Sequence, residues 1–198
     1  MLLPIGSDCC ISIRMIEHFG HSPQSPFHNV LTNFQTICQC LQNENIFDKG
    51  NWEYMCTTNE KYKAIRHKYM HYISLHDIPD NYTDEESYIK LQKDKSKAYD
   101  NFKILLKNVQ CRFVCVIDDY NELNKEHLIT NSDVYIFFNS LKKISNVNHK
   151  LIFITNTFMN IHENENVKII NTNYYIKNDS LKNWYRDNIN WNEIFKNI

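Results

Sequence analysis

Apolar positions along this chain follow two patterns: recurrence at helical spacing, and short continuous runs that suit buried strands. Leu2 to Ile5 is such a run, closed by Gly6, and predicts a first strand. Ile11, Ile13, Met15, Ile16 and Phe19 then line one side of a helix. Ser7 and Asp8 are good N-caps for it, and Gly20 fits the C-terminal cap. The opening therefore predicts strand, tight turn and helix.

A loop holding Pro23 and Pro26 follows, and Val30, Leu31, Phe34, Ile37, Cys38 and Leu41 predict a second helix over residues 27–41. Residues 46–80 are the least regular, with strands expected near 52–56 and 71–76 and a break at Asp77-Ile78-Pro79-Asp80. Thr83-Asp84-Glu85-Glu86 starts a long polar helix that runs to about Asn108. Arg112 to Ile117 is the strongest strand, apolar enough to be central and covered on both faces. A helix over 131–145, strands over 151–154 and 167–170, and a closing helix over 180–195 complete the pattern. Strands alternating with helices predict one α/β domain over residues 1–198. Its sheet is expected to be mostly parallel with helices on both faces, and residues 46–80 to be an insertion or an antiparallel addition.

Composition narrows the function. With 42% hydrophobic and 13% aromatic residues the chain can build a core. A formal net charge of -1 argues against nucleic acid as a partner. No apolar run reaches the roughly 20 residues that cross a bilayer, and the first residues do not resemble a secretory signal. The expectation is a cytoplasmic chain that uses no membrane. Seven cysteines, an odd count, then point to reduced thiols. The abundance of Asn, Lys, Ile and Tyr has the look of an AT-rich genome.

Cys9 is the leading candidate for chemistry. A thiol at a helix start sees unpaired backbone N–H groups and the positive end of the dipole, which favour thiolate. Amides at Gly6, Ser7 and Asp8 would be placed to stabilise an oxyanion. Against this, free cysteine is a common buried hydrophobe, and Cys10 is expected to pack inward. Asp8 reads first as an N-cap. A thiol nucleophile needs an imidazole within reach, itself oriented by a third group. Among nine histidines, His76 ends an apolar run. Asp118, Asp119 and Asn156 each end a strand, where ligands of α/β sheets collect, and Asp118 is the preferred orienter. Asp77 adjoins His76 but alternation turns strand neighbours to opposite faces. Neither Cys38-x-Cys40 nor His67-x3-His71 has structural-zinc spacing, so no metal is expected. The dinucleotide and phosphate-loop glycine patterns are absent, so no cofactor is expected.

Gly6-Ser7-Asp8-Cys9, a helix, Ser25-Pro26-Phe27, His76-Asp77 and the apolar strand 113–117 occur in an order that resembles a family of papain-like cysteine peptidases found in bacteria and large DNA viruses. The resemblance covers about the first two thirds of the chain. It implies an intracellular hydrolase with Cys9 as nucleophile and His76 as base, acting on a peptide or other amide. It also places the loop holding His28 near Cys9, which makes His28 the second-choice base; Asp77 stays a second-choice orienter on its position alone. The chain departs from the family at His28-Asn29, where Asp-Trp is usual, and at Asp118, where Arg is common. Those departures motivate an alternative, a non-catalytic module that binds a host protein. A third reading is a serine esterase or nucleotide-binding domain using the Gly6-Ser7 turn.

Overall fold

The computed structural model describes residues 1–6, 10–20, 25–28, 30–58, 61–117, 128–172 and 189–198. Two four-stranded sheets organise them. Strands β1 (Leu2–Pro4), β6 (Arg112–Ile117), β7 (Lys150–Thr155) and β8 (Val167–Asn171) form a parallel sheet in that order. Strands β2 (Val30–Thr32), β5 (Tyr72–Pro79), β4 (Tyr62–His67) and β3 (Trp52–Thr58) form an antiparallel sheet in that order. This is the expected α/β fold, with residues 46–80 supplying three of the four antiparallel strands and β2 the fourth.

Helices cover both faces of the parallel sheet. On one face, Phe113 and Cys115 of β6 and Leu151 and Phe153 of β7 meet α2 (Phe34–Gln42), α3 (Asp84–Asn108) and α4 (Asn131–Ile144). The rings interlock: Phe113 lies edge-on to Phe137 at 5.2 Å, and Phe34 to Phe153 at 5.4 Å. On the other face, Val114, Val116 and Ile154 meet Ile11 and Met15 of α1 (Cys10–Phe19) and Trp191, Ile194 and Phe195 of α5 (Trp191–Lys196). The alternation of side chains along a strand thus sends a continuous apolar run into two separate cores. Burying each such Phe or Ile contributes roughly 1.5–3 kcal/mol.

Local chemistry sets the boundaries. Thr83 and Glu86 form a reciprocal capping box that starts α3, and Thr130 and Asp133 do the same for α4. Gly20 closes α1 at φ +76°, its amide donating to the Ile16 carbonyl. Gly6 holds φ +78° at the end of β1, and a Cβ there would lie 3.0 Å from the Cys115 sulfur. Only glycine satisfies both conditions.

Three expectations are corrected. The helix expected over 27–41 starts only at Phe34, because Asn33 caps it by accepting from the Thr36 amide at 2.8 Å. Val30 to Thr32 instead pair with β5. The strand expected to break at Asp77 continues to Pro79, which lies opposite Tyr62. A third strand, β4, went unread because Lys63 and Arg66 interrupt its apolar positions. Residues 180–188 of the closing helix lie outside the described residues, and Trp191–Lys196 is helical. Among the described residues no helix is long and apolar enough to cross a membrane.

Candidate functional site

Three elements converge on a cavity of about 380 Å³ whose lining includes Ser25, His28, Asp77, Lys95, Lys97 and Asn101. His28 comes from a turn. Its amide donates to the Ser25 carbonyl at 3.1 Å, and the Phe27 amide donates to the Ser25 hydroxyl at 3.2 Å. Serine closing such a turn on its own backbone is a common local device. The turn is then fixed from outside. The Tyr72 hydroxyl donates to the Pro26 carbonyl, and the Phe27 ring sits edge-on to Phe102 at 5.9 Å.

Asp77 reaches the cavity through an irregularity in β5. Lys63 pairs with Ile78 and Ile65 with Ser74, so Ala64 alone opposes Leu75, His76 and Asp77. A bulge of this kind re-aims side chains. Here it brings Asp77 back toward Ser74, whose hydroxyl donates to the Asp77 carboxylate at 2.5 Å.

Lys95 comes from α3, on the stripe that otherwise carries Leu91, Tyr99, Phe102 and Leu106. Its side chain is only 6% exposed, and its ammonium lies 2.8 Å from Asp77 Oδ2 and donates to the His28 carbonyl at 3.4 Å. A buried ammonium needs such a counter-charge. One lysine therefore ties the His28 turn, the β5 bulge and α3 together.

The His28 ring is half-buried, and among the described residues Nδ1 has no hydrogen-bond partner. Burial first, and the Lys95 charge second, hold its pKa below the ordinary 6.5, while Asp77 acts in the opposite sense. The imidazole is therefore neutral near pH 7, the form able to accept a proton.

His76, the first-choice base, lies on the same bulge but is exposed, its ring edge-on to Tyr62 at 5.9 Å. Gly6 stands at the end of β1, as described above. Ser7, Asp8, Cys9, Asp118 and Asp119 lie outside the described residues. Asn156 directly follows β7. The Cys38 and Cys40 thiols are buried on α2, and burial raises both, Cys38 to about 12. Cys111 is likewise buried and pushed up to about 11. His67 lies on β4 and His71 just before β5, so the two do not share a helical face. Among the described residues no group of three His, Cys, Asp or Glu side chains could hold a metal ion.

Lys95 was missed from sequence. The available signal was a lysine at an inward position of an apolar stripe, a place where an unpaired charge is costly. Comparison with protein-family models, curated proteins and solved structures finds nothing that matches this chain.

Proposed function

We propose that this chain is a cysteine-dependent hydrolase of the papain-like type, with Cys9 as nucleophile and His28 as the base that serves it. The observation that carries the reading is the cavity around His28, where a neutral imidazole stands beside Asp77 and Lys95. Clustered ionisable groups in a cavity, with a shifted member, are a recurrent mark of catalytic sites. Cys9 directly precedes the first residue of α1 in sequence, and a thiol at a helix start is favoured as thiolate. His28 is chosen over His76 because His76 is exposed against Tyr62 and outside the cavity.

In this reading His28 takes the Cys9 proton, and the sulfur bonds to the acyl carbon of an amide substrate. The imidazolium returns the proton to the departing amine as the C–N bond breaks. Water then attacks the thioester, giving a carboxylic acid and restoring the thiol.

The test is alkylation by iodoacetamide across pH. Four other described thiols, Cys38, Cys40, Cys111 and Cys115, are buried. Exposed Cys56 is removed as background by Cys56→Ser. Cys9 should react with a midpoint well below the roughly 8.5 of an ordinary thiol. His28→Gln should move that midpoint upward, and His76→Gln should leave it in place. A Cys9 midpoint near 8.5, unmoved by either change, removes the hydrolase reading.

A further inference from the structure

The cavity around His28 does not end at that ring. One side of it is α3, through Lys95, Lys97 and Asn101. Lys97 and Asn101 also line a second, more open hollow on the outer side of the same helix, together with Ile89, Lys93 and Ser96. The two spaces share a wall, so a bound chain leaving the cavity crosses Lys97 onto the helix surface. Charge along this path is not balanced. Asp77 is answered by Lys95 at 2.8 Å, Asp94 by Lys90 at 2.5 Å and Asp100 by Lys103 at 3.2 Å. Lys93 and Lys97 are exposed, and among the described residues neither makes an ion pair or a side-chain hydrogen bond. Each carboxylate on the path is thus taken, and two ammonium groups are left over. The Asn101 side chain, one turn beyond Lys97, is also without a partner among the described residues. Ile89, 48% exposed, closes the row at the other end.

Asn101, Lys97, Lys93 and Ile89 follow one another at four-residue steps on α3. On an α-helix such steps share one face and lie about 6 Å apart. An extended peptide puts alternate side chains on one side about 6.6 Å apart. The mismatch of roughly 0.6 Å per step is small against the reach of a lysine side chain. We propose that this row is the docking track for the substrate, an extended acidic peptide whose alternate carboxylates meet Lys97 and then Lys93, and whose next alternate side chain is apolar and rests on Ile89. Asn101, with both a donor and an acceptor, pairs with a peptide amide where the chain enters the cavity. Read outward from the cavity, the substrate pattern is acidic-x-acidic-x-apolar. The charges are complementary, and the helix spacing gives them a register.

Cleavage of that peptide rests on the hydrolase reading, whereas docking can be read without turnover. The experiment is a nitrogen-15 NMR titration of the full chain carrying Cys9→Ala, which stops turnover. The probe is the end-blocked peptide Glu-Ala-Glu-Ala-Leu, presented in this order and in reverse. One of the two orders should bind about two- to fivefold more tightly than end-blocked Glu-Glu-Ala-Ala-Leu, which has the same charge and composition but misplaces one carboxylate. Lys93→Gln and Lys97→Gln should each weaken the patterned peptide by about two- to fivefold. Lys107→Gln, exposed on α3 and outside both hollows, should leave its affinity unchanged. All three lysines are exposed, so folding is not at stake. Equal binding of patterned and scrambled peptides in both orders overturns the proposal, as does a loss in Lys107→Gln equal to that in Lys97→Gln. Cys9 alkylation judges the hydrolase reading separately. Docking that holds while alkylation fails leaves the track as a peptide-binding site without cleavage. Alkylation that holds while docking fails leaves a hydrolase and removes the acidic substrate.

Discussion

Strands β6 and β7 send apolar side chains into helices on both sides, whereas the antiparallel sheet is wet on one side. There Tyr54, Tyr62 and His76 are exposed, while Trp52, Ile65 and Tyr72 of the same three strands are fully buried. The first arrangement leaves no strand position for a polar group to do work except at the strand ends. The second buries its other face as well, and there, beside buried Ser74, a bulge in β5 brings Asp77 to Lys95 and His28. The two sheets thus differ in what their faces do. The parallel one is buried on both, whereas the antiparallel one adds Trp52, Ile65 and Tyr72 to the same core and, through the β5 bulge, sets Asp77 against Lys95 of α3.

Paired substitutions measure that division. Phe153→Ala on β7 should cost about 3–5 kcal/mol in urea unfolding, because it empties a site enclosed by α2 and its neighbours. Tyr54→Ala on β3, 41% exposed, should cost well under that, within roughly 1 kcal/mol. Equal losses would mean that Tyr54 is enclosed as tightly as Phe153 and that the outer face of the antiparallel sheet is not wet. Gly6→Ala comes next, at about 1–3 kcal/mol, since it forces a positive φ on a residue with a Cβ and crowds Cys115. If Gly6→Ala is neutral, the turn after β1 is not held in this conformation.

Acid is the mildest probe, and it touches both sheets. His67 on β4 donates Nε2–H to the Ile46 carbonyl at 3.0 Å and accepts the Tyr69 amide on Nδ1 at 3.2 Å. His149, just before β7, accepts the Cys111 amide on Nδ1 at 3.2 Å. Burial is the main cause that lowers both pKa values below 6.5. The folded chain therefore binds fewer protons than the unfolded one below that point. Stability should be full above pH 6.5 and fall as pH drops from there toward the lowered folded values. His67→Gln and His149→Gln should each flatten the curve. A stability profile level from pH 7 to pH 5 would show that these rings are not held neutral.

Much of the frame was legible because it depends on local signals. The Thr83 cap with Glu86, the run from Phe113 to Ile117 and the Gly20 stop each announce themselves within a few residues. The antiparallel sheet was only half legible. Asn33 looks like any loop asparagine until it caps α2, and Val30 and Leu31 fit helix spacing as well as they fit a strand. In β4 Arg66 is exposed and pairs with Glu53, while the mostly buried Lys63 is answered by Asp84 of α3, so two charges with different surroundings hid one strand. Alternation argued that Asp77 was a poor partner for His76. The bulge does re-aim it, toward Lys95 and Ser74.

By itself the sequence determined the strands of the parallel sheet, the central strand among them, and the capped starts of α3 and α4, because hydrophobic period and capping act over distances shorter than a helical turn or two. Only the tertiary structure decided that His28, Asp77 and Lys95 share a cavity. They come from a turn, a bulged strand and a helix separated by tens of residues. No local preference encodes that meeting; it follows from packing α3 across β5, which buries an ammonium and obliges a carboxylate to answer it.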